Sequence, residues 1–147
     1  MSAASPLGDL ELIRTGATGA ATVFEAPEDD DPVLAGHYPG FPVLPGVFLI
    51  EAADRTVRQW ARTNVPAADG ADIALVAMDR CRFHRPVLPG DRVLSDVSVV
   101  DNAAGLLFKA AVATNRGKVA DIRLRYRLQH EHEHEHEHEH DEEEDTP

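Results

Sequence analysis

The sequence predicts an α+β fold, one long helix wrapped by an antiparallel sheet of about five to six strands. Three observations lead there. Only one stretch, near residues 47–62, carries apolar residues at helical spacing. Most of the remaining body alternates apolar and polar residues over short runs. The breaks between those runs are rich in Gly, Pro, Asn and Asp, the chemistry of tight turns.

Taken in order, Leu10–Arg14 and Ala21–Glu25 read as two strands of a hairpin, with Gly16 and Gly19 between them. Pro27–Pro32 is a polar loop. Residues 36–46, Gly-His-Tyr-Pro-Gly-Phe-Pro-Val-Leu-Pro-Gly, hold too many prolines and glycines for a helix or a central strand. The helix follows from Val47 to Arg62, with Pro45 tolerated at its start. Val47, Ile50, Val57 and Ala61 fall near one face, and Leu49, Ala53 and Trp60 widen the apolar surface. Pro66 and Gly70 end it. Ile73–Phe83 has strand composition, and Pro86 with Pro89-Gly90 makes a turn. Val93–Val100 alternates, placing Val93, Ser95, Val97 and Val99 on one face. A turn over Asp101–Gly105 leads into Leu106–Thr114 and Val119–Leu128, a hairpin around Asn115–Lys118. In its last strand Ile122, Leu124, Tyr126 and Leu128 alternate with Arg123, Arg125 and Arg127.

The chain has 147 residues and a formal charge of -12, but the charge is not evenly spread. Residues 130–147 hold ten acids, six histidines and no Lys or Arg, so residues 1–129 carry 16 acids against 14 bases. A nearly neutral body predicts no nucleic-acid partner. One cysteine, Cys81, permits no intrachain disulfide and suits a cytoplasmic setting. No run approaches the ~20 apolar residues of a membrane helix, and the N-terminus lacks the pattern of a signal peptide. One domain over residues 1–129 is expected, followed by a disordered His/Glu-rich tail over 130–147.

Two side chains stand out chemically. Glu51 follows Ile50 and precedes Ala52-Ala53, and a carboxyl in an apolar neighbourhood keeps its proton available for donation. His37, in the Pro/Gly segment, has the basicity of a general base near neutrality. The helix start at Gly46 and Val47 offers backbone N–H groups that can polarise a carbonyl oxygen. Such a set suits removal of a proton beside a thioester carbonyl with loss of a β-leaving group. Taken singly, a loop histidine more often makes structural hydrogen bonds, and a helix glutamate more often faces solvent.

The run His37-Tyr38-Pro39-Gly40-Phe41-Pro42-Val43-Leu44-Pro45-Gly46-Val47, followed by Glu51-Ala52, closely resembles the signature of the FabZ-type 3-hydroxyacyl-[acyl-carrier-protein] dehydratases, H-F-P-G-x-P-x-x-P-G-V-x-x-x-E-A. A second block, Phe83-His84-Arg85-Pro86-Val87-Leu88-Pro89-Gly90-Asp91, is similar to that family's F-R-R-P-V-x-P-G-D turn. The resemblance covers residues 10–128. It implies a hotdog fold, a dimer, and a site whose histidine and acid come from different subunits. It also implies that His37 removes the α-proton, Glu51 protonates or orients the departing β-hydroxyl, and the Gly46 N–H binds the thioester carbonyl. The implied product is a trans-2-enoyl thioester on an acyl carrier protein, with no cofactor and no metal.

Tyr38 replaces the family's phenylalanine, and Arg55 stands where a glutamine is usual, four residues after the acid. Tyr38, Val47 and Arg55 are expected to touch substrate. An arginine one turn from Glu51 favours its carboxylate form, which keeps a non-catalytic partner subunit in a heterodimer as an alternative to the self-sufficient enzyme. A hotdog thioesterase is the other alternative. Arg80 and Arg82 alternate along a strand, and with Arg85 they form a candidate docking patch for an acidic carrier. Arg123, Arg125 and Arg127 form another basic face that can instead pair with the acidic tail. Cys81 is expected half-buried and uncatalytic, Trp60 in the core, and His84 on the surface. The alternating His and Glu of the tail suit weak divalent-metal binding. A purification tag has the same alternation, but the continuation Asp141–Pro147 reads as native chain.

Overall fold

The computed structural model describes residues 7–28, 43–65, 73–101 and 106–128. Along them run β1 (Glu11–Gly16), β2 (Gly19–Glu25), α1 (Gly46–Asn64), β3 (Ile73–Phe83), β4 (Arg92–Asp101), β5 (Leu106–Thr114) and β6 (Gly117–Leu128). The six strands make one antiparallel sheet in the order β1-β2-β4-β5-β6-β3, with α1 against one face. The α+β expectation is met. The bounds of β3 and β5 agree with the sequence reading, whereas α1 starts one residue earlier and ends two later.

The β1–β2 hairpin turns through Ala17-Thr18, between the two glycines. Gly19 is required there, because a Cβ at this position would sit 2.2 Å from the Val97 carbonyl oxygen of β4. On α1 the buried residues are Leu49, Ala52, Ala53, Thr56, Val57, Trp60 and Ala61, the i, i+3, i+4, i+7 spacing of a core-facing stripe. Each large side chain so buried contributes about 1.5–3 kcal/mol. The alanines let the helix approach the sheet closely. At the contact, the Thr56 hydroxyl lies 2.9 Å from Thr22 Oγ1 of β2, 2.7 Å from the Ala52 carbonyl oxygen and 3.3 Å from Ser95 Oγ of β4. The wholly buried hydroxyls are therefore partnered among themselves.

Val47 departs from the expected face. It is 61% exposed, and Ile50 is only partly buried. Positions 47, 51 and 55 are spaced one turn apart, and this stripe is turned away from the chain's own sheet.

The far end of the helix is pinned by polar contacts. Trp60 Nε1 donates to the Ala17 carbonyl at 3.2 Å, and Asn64 donates to the Gly16 carbonyl at 3.2 Å. Trp60 meets Phe108 edge-on at 5.1 Å, and Phe108 meets Tyr126 likewise at 5.7 Å. Tyr126, 1% exposed, donates its hydroxyl to Asp54 of the helix at 2.6 Å, and Arg58 bonds the same carboxylate at 3.1 Å.

β3 forms one edge of the sheet. Leu75, Met78 and Phe83 stand opposite Tyr126, Leu124 and Ala120 of β6, so they share the helix-side face. They nonetheless remain 42%, 48% and 50% exposed, because among the described residues no strand lies beyond them.

Candidate functional site

The approach to the helix is built by the two sequence blocks together. The Leu44 N–H donates to the Val87 carbonyl at 2.9 Å, tying the end of the first block to the middle of the second. Val87 is buried at 1% exposure and anchors that turn in the core. Gly90 has φ +79°, a conformation that favours glycine, and donates to the Ala26 carbonyl at 3.1 Å; the Ala26 N–H donates to the Asp91 carbonyl at 2.7 Å. The Asp91 carboxylate accepts the Leu88 N–H at 2.8 Å and two Arg116 contacts at 3.0 and 2.5 Å. The Arg116 guanidinium holds the Asp91 carboxyl below the ordinary carboxylate range. The P-G-D turn is thus a brace that places Leu44-Pro45 at the helix start.

Gly46 opens the helix against the ring of Phe83, where a Cβ would come within 2.6 Å of Cζ. The cap position is Pro45, no side chain caps the helix, and its first turn holds no acid. Gly46 and Val47 therefore present first-turn amides and the positive end of the helix dipole without a side-chain cap.

Glu51 lies one turn beyond Val47, on the side of α1 away from the sheet. Its side chain is 32% exposed, not enclosed as the apolar neighbours in sequence suggested. Arg55 Nη2 approaches Glu51 Oε2 at 2.5 Å, and Arg55 Nη1 donates to the Gly8 carbonyl at 2.7 Å. Arg55 is accordingly a bridge from the carboxylate to the segment preceding β1. His37 and Tyr38 lie outside the described residues.

Arg80 and Arg82 are exposed, and both fall on the sheet face away from the helix, opposite Arg123 and Asp121. Arg85 is turned elsewhere. It donates to the Lys118 carbonyl at 3.2 Å and the Arg116 carbonyl at 2.8 Å, bracing the β5–β6 turn in which Gly117 has φ +116°. His84 pairs with Asp121 at 2.8 Å. Cys81 is partly buried, and burial pushes its thiol up, which disfavours the reactive thiolate. Among the described residues no group of three His, Cys, Asp or Glu could hold a metal ion.

Three participants escaped the sequence reading. Phe83 stands in the sequence only as a strand end and the first residue of a motif, and Asp54 and Lys109 carry no pattern of their own. Only cross-strand register or helix–sheet packing brings them into place.

The family model for ApeI-like dehydratases matches residues 17–123. The 3-hydroxyacyl-[acyl-carrier-protein] dehydratase FabZ of Solibacter usitatus (strain Ellin6076) is 33% identical over 90 residues, covering 61% of this chain and 56% of that protein. FabZ of Haemophilus influenzae (strain PittEE) is 35% identical over 91 residues, covering 62% of each. The chain thus spans about three-fifths of the length of the curated relatives it matches. In fold it is similar to the dehydratase heterocomplex ApeI:P from Xenorhabdus doucetiae, with TM-score 0.58 at 16% identity over 79% of this chain and 93% of that one. It is also similar to the PaaI protein of the E. coli phenylacetic acid degradation operon, with TM-score 0.64 at 18% identity over 80% and 82%.

Proposed function

The chain belongs to the ApeI-like dehydratase family, and from that premise we propose that it removes water from 3-hydroxyacyl thioesters carried on an acyl carrier protein, in fatty-acid or polyketide-type biosynthesis. The observation that carries this reading is the position of Glu51, half-buried on the side of α1 away from the chain's own sheet and one turn beyond the uncapped start at Gly46-Val47.

In this reading the Gly46 N–H receives the thioester carbonyl oxygen, which takes up negative charge as the α-proton leaves. His37 accepts that proton. The Cβ–O bond breaks with its electron pair on oxygen, Glu51 supplies the second proton, and the hydroxyl departs as water. The Cα–Cβ double bond of a trans-2-enoyl thioester remains. No external electron acceptor is required. Val47, 61% exposed beside Glu51, and Tyr38 would wall the acyl chain.

A second subunit completes the site in this reading, a copy of this chain or a related hotdog chain. Its support is the edge strand β3, whose Leu75, Met78 and Phe83 are half-exposed on the helix side. An edge strand leaves a row of backbone donors and acceptors for a partner strand. Arg80, Arg82 and Arg85 would meet the acidic carrier, with Arg85 held back by its hairpin contacts.

One observation favours a second reading. Arg55 occupies the Glu51 carboxylate with a direct ion pair, so the acid is engaged within its own helix and the chain would serve as a non-catalytic partner in a heterodimer. Mass spectrometry of a 3-hydroxyacyl carrier protein incubated with the purified chain alone separates the two. Loss of one water, abolished in His37→Ala and Glu51→Gln, establishes the self-sufficient dehydratase. An unchanged substrate that loses water only when a related dehydratase chain is added establishes the partner role. Release of free acid overturns both in favour of a thioesterase.

A further inference from the structure

On the sheet face away from the helix, three cations stand in one row across three strands. Arg123 of β6 is the direct register partner of Arg80 on β3 and of Lys109 on β5. Direct cross-strand neighbours have Cβ atoms about 4.5–5.5 Å apart, and like charges so placed destabilise the sheet. Lys118 and Asp121 complete a shallow concavity of about 210 Å³ around them. Asp121 is the one acid lining it, and it is already shared between Lys118 at 3.1 Å and His84 at 2.8 Å. Among the described residues no ion pair reaches Arg80, Arg123 or Lys109.

We propose that this row is an anion cradle and that its occupant is the chain's own acidic segment, residues 130–147. The segment has ten acids and no Lys or Arg, against four cations and one committed acid in the cradle. It leaves from the end of β6, the strand that carries Arg123. The five steps from Arg123 to Leu128 span about 17 Å of strand. The dozen residues 129–140 reach about 40 Å when extended, so the block Asp141–Asp145 can fold back onto the cradle with chain to spare. Tethering places it there at an effective concentration in the millimolar range. Any external polyanion must displace a tethered one. Single exposed ion pairs are weak, so the docking is multivalent, reversible and sensitive to salt. The inference does not depend on the dehydratase reading. Where that reading holds, the segment covers Arg80, one of the residues an acidic carrier would need.

Zero-length carbodiimide coupling of the full chain tests this. The chain has two lysines, Lys109 and Lys118, and both line the cradle. The expected result is an isopeptide bond from Lys109 or Lys118 to a carboxylate between Glu131 and Asp145, within one chain. Mixed 15N-labelled and unlabelled protein identifies within-chain bonds. Their yield should fall about fivefold or more in 0.5 M salt, and similarly in the Arg80→Gln/Arg123→Gln variant, which keeps both lysines. The Lys118–Asp121 pair, 3.1 Å apart, is the internal control for coupling. Coupling of the lysines to Asp121 alone, tail bonds formed only between chains, or within-chain tail bonds indifferent to salt would each overturn the proposal. The salt arm needs no variant, so a folding defect in the double substitution leaves the test intact.

Discussion

Arg55 holds Glu51 and the Gly8 carbonyl at once, at 2.5 and 2.7 Å, so the one acid on the open helix stripe is tied through a single guanidinium to the segment before β1. Arginine has the fork of donors to do this, whereas the family's glutamine would offer one amide.

Arg55→Gln removes both contacts. An exposed i,i+4 pair of this kind is worth about 0.3–0.5 kcal/mol, so thermal unfolding should change little. Dehydration should rise, because the Glu51 carboxyl is released from the Arg55 contact and can turn to the substrate. Glu51→Gln should lower turnover by about 100- to 10,000-fold, the usual contribution of a general acid. Steady-state turnover of the two variants beside the parent, with their melting curves, checks both expectations.

Gly46→Ala forces a methyl into the Phe83 ring, 2.6 Å from Cζ. Overpacking costs about 1–3 kcal/mol, and the half-exposed ring offers some relief. The expected result is a larger loss in kcat/KM than in stability, since the shifted atoms are the first-turn amides. The double substitution Gly46→Ala/Phe83→Leu should recover part of the activity. No recovery would mean that the ring contact is not the cause.

Tyr126→Phe removes the hydroxyl that donates to Asp54 at 2.6 Å. A hydrogen bond to a charged acceptor contributes about 1.5–3 kcal/mol, and Asp54 keeps Arg58, so a loss at the lower end of that range is expected in urea unfolding. The Tyr126 ionisation, raised by burial and then by Asp54, should be absent from an ultraviolet titration of the native protein up to the onset of alkaline unfolding.

Asp91→Asn breaks the Arg116 contacts and should lower the melting temperature by several degrees at pH 7. The Asp91 carboxyl sits below its ordinary value of 3.8 in the folded chain. A depressed folded value contributes stability that is present above the unfolded value and is lost as pH falls through the folded one. The gap between parent and variant should therefore be full at pH 5–7, narrow below pH 3.8 and close once Asp91 is protonated in both states. A gap that stays constant from pH 7 to pH 2 would exclude this linkage.

The element order and the strands, to within two residues at each end, were legible in the residues because each rests on local chemistry. β3 and β5 have the bounds their composition suggests, and a helix with so wide an apolar face had to pack against a sheet. Glu51, Gly46 and Arg55 were legible as a group because their spacing along one helix is enough to place them together. Helical position alone did not say which face would be open. Val47 looked like core and is exposed, because burial depends on where the sheet ends. Arg80, Arg123 and Lys109 lie 14 or more positions apart in the chain and meet only through antiparallel register. Asp54 and Tyr126 meet only because the helix packs across β6. Contacts within a turn of helix or a tight hairpin follow from the order of residues. Contacts between strands and across layers follow from register and from which edge is left uncovered, and these exist only in the folded chain.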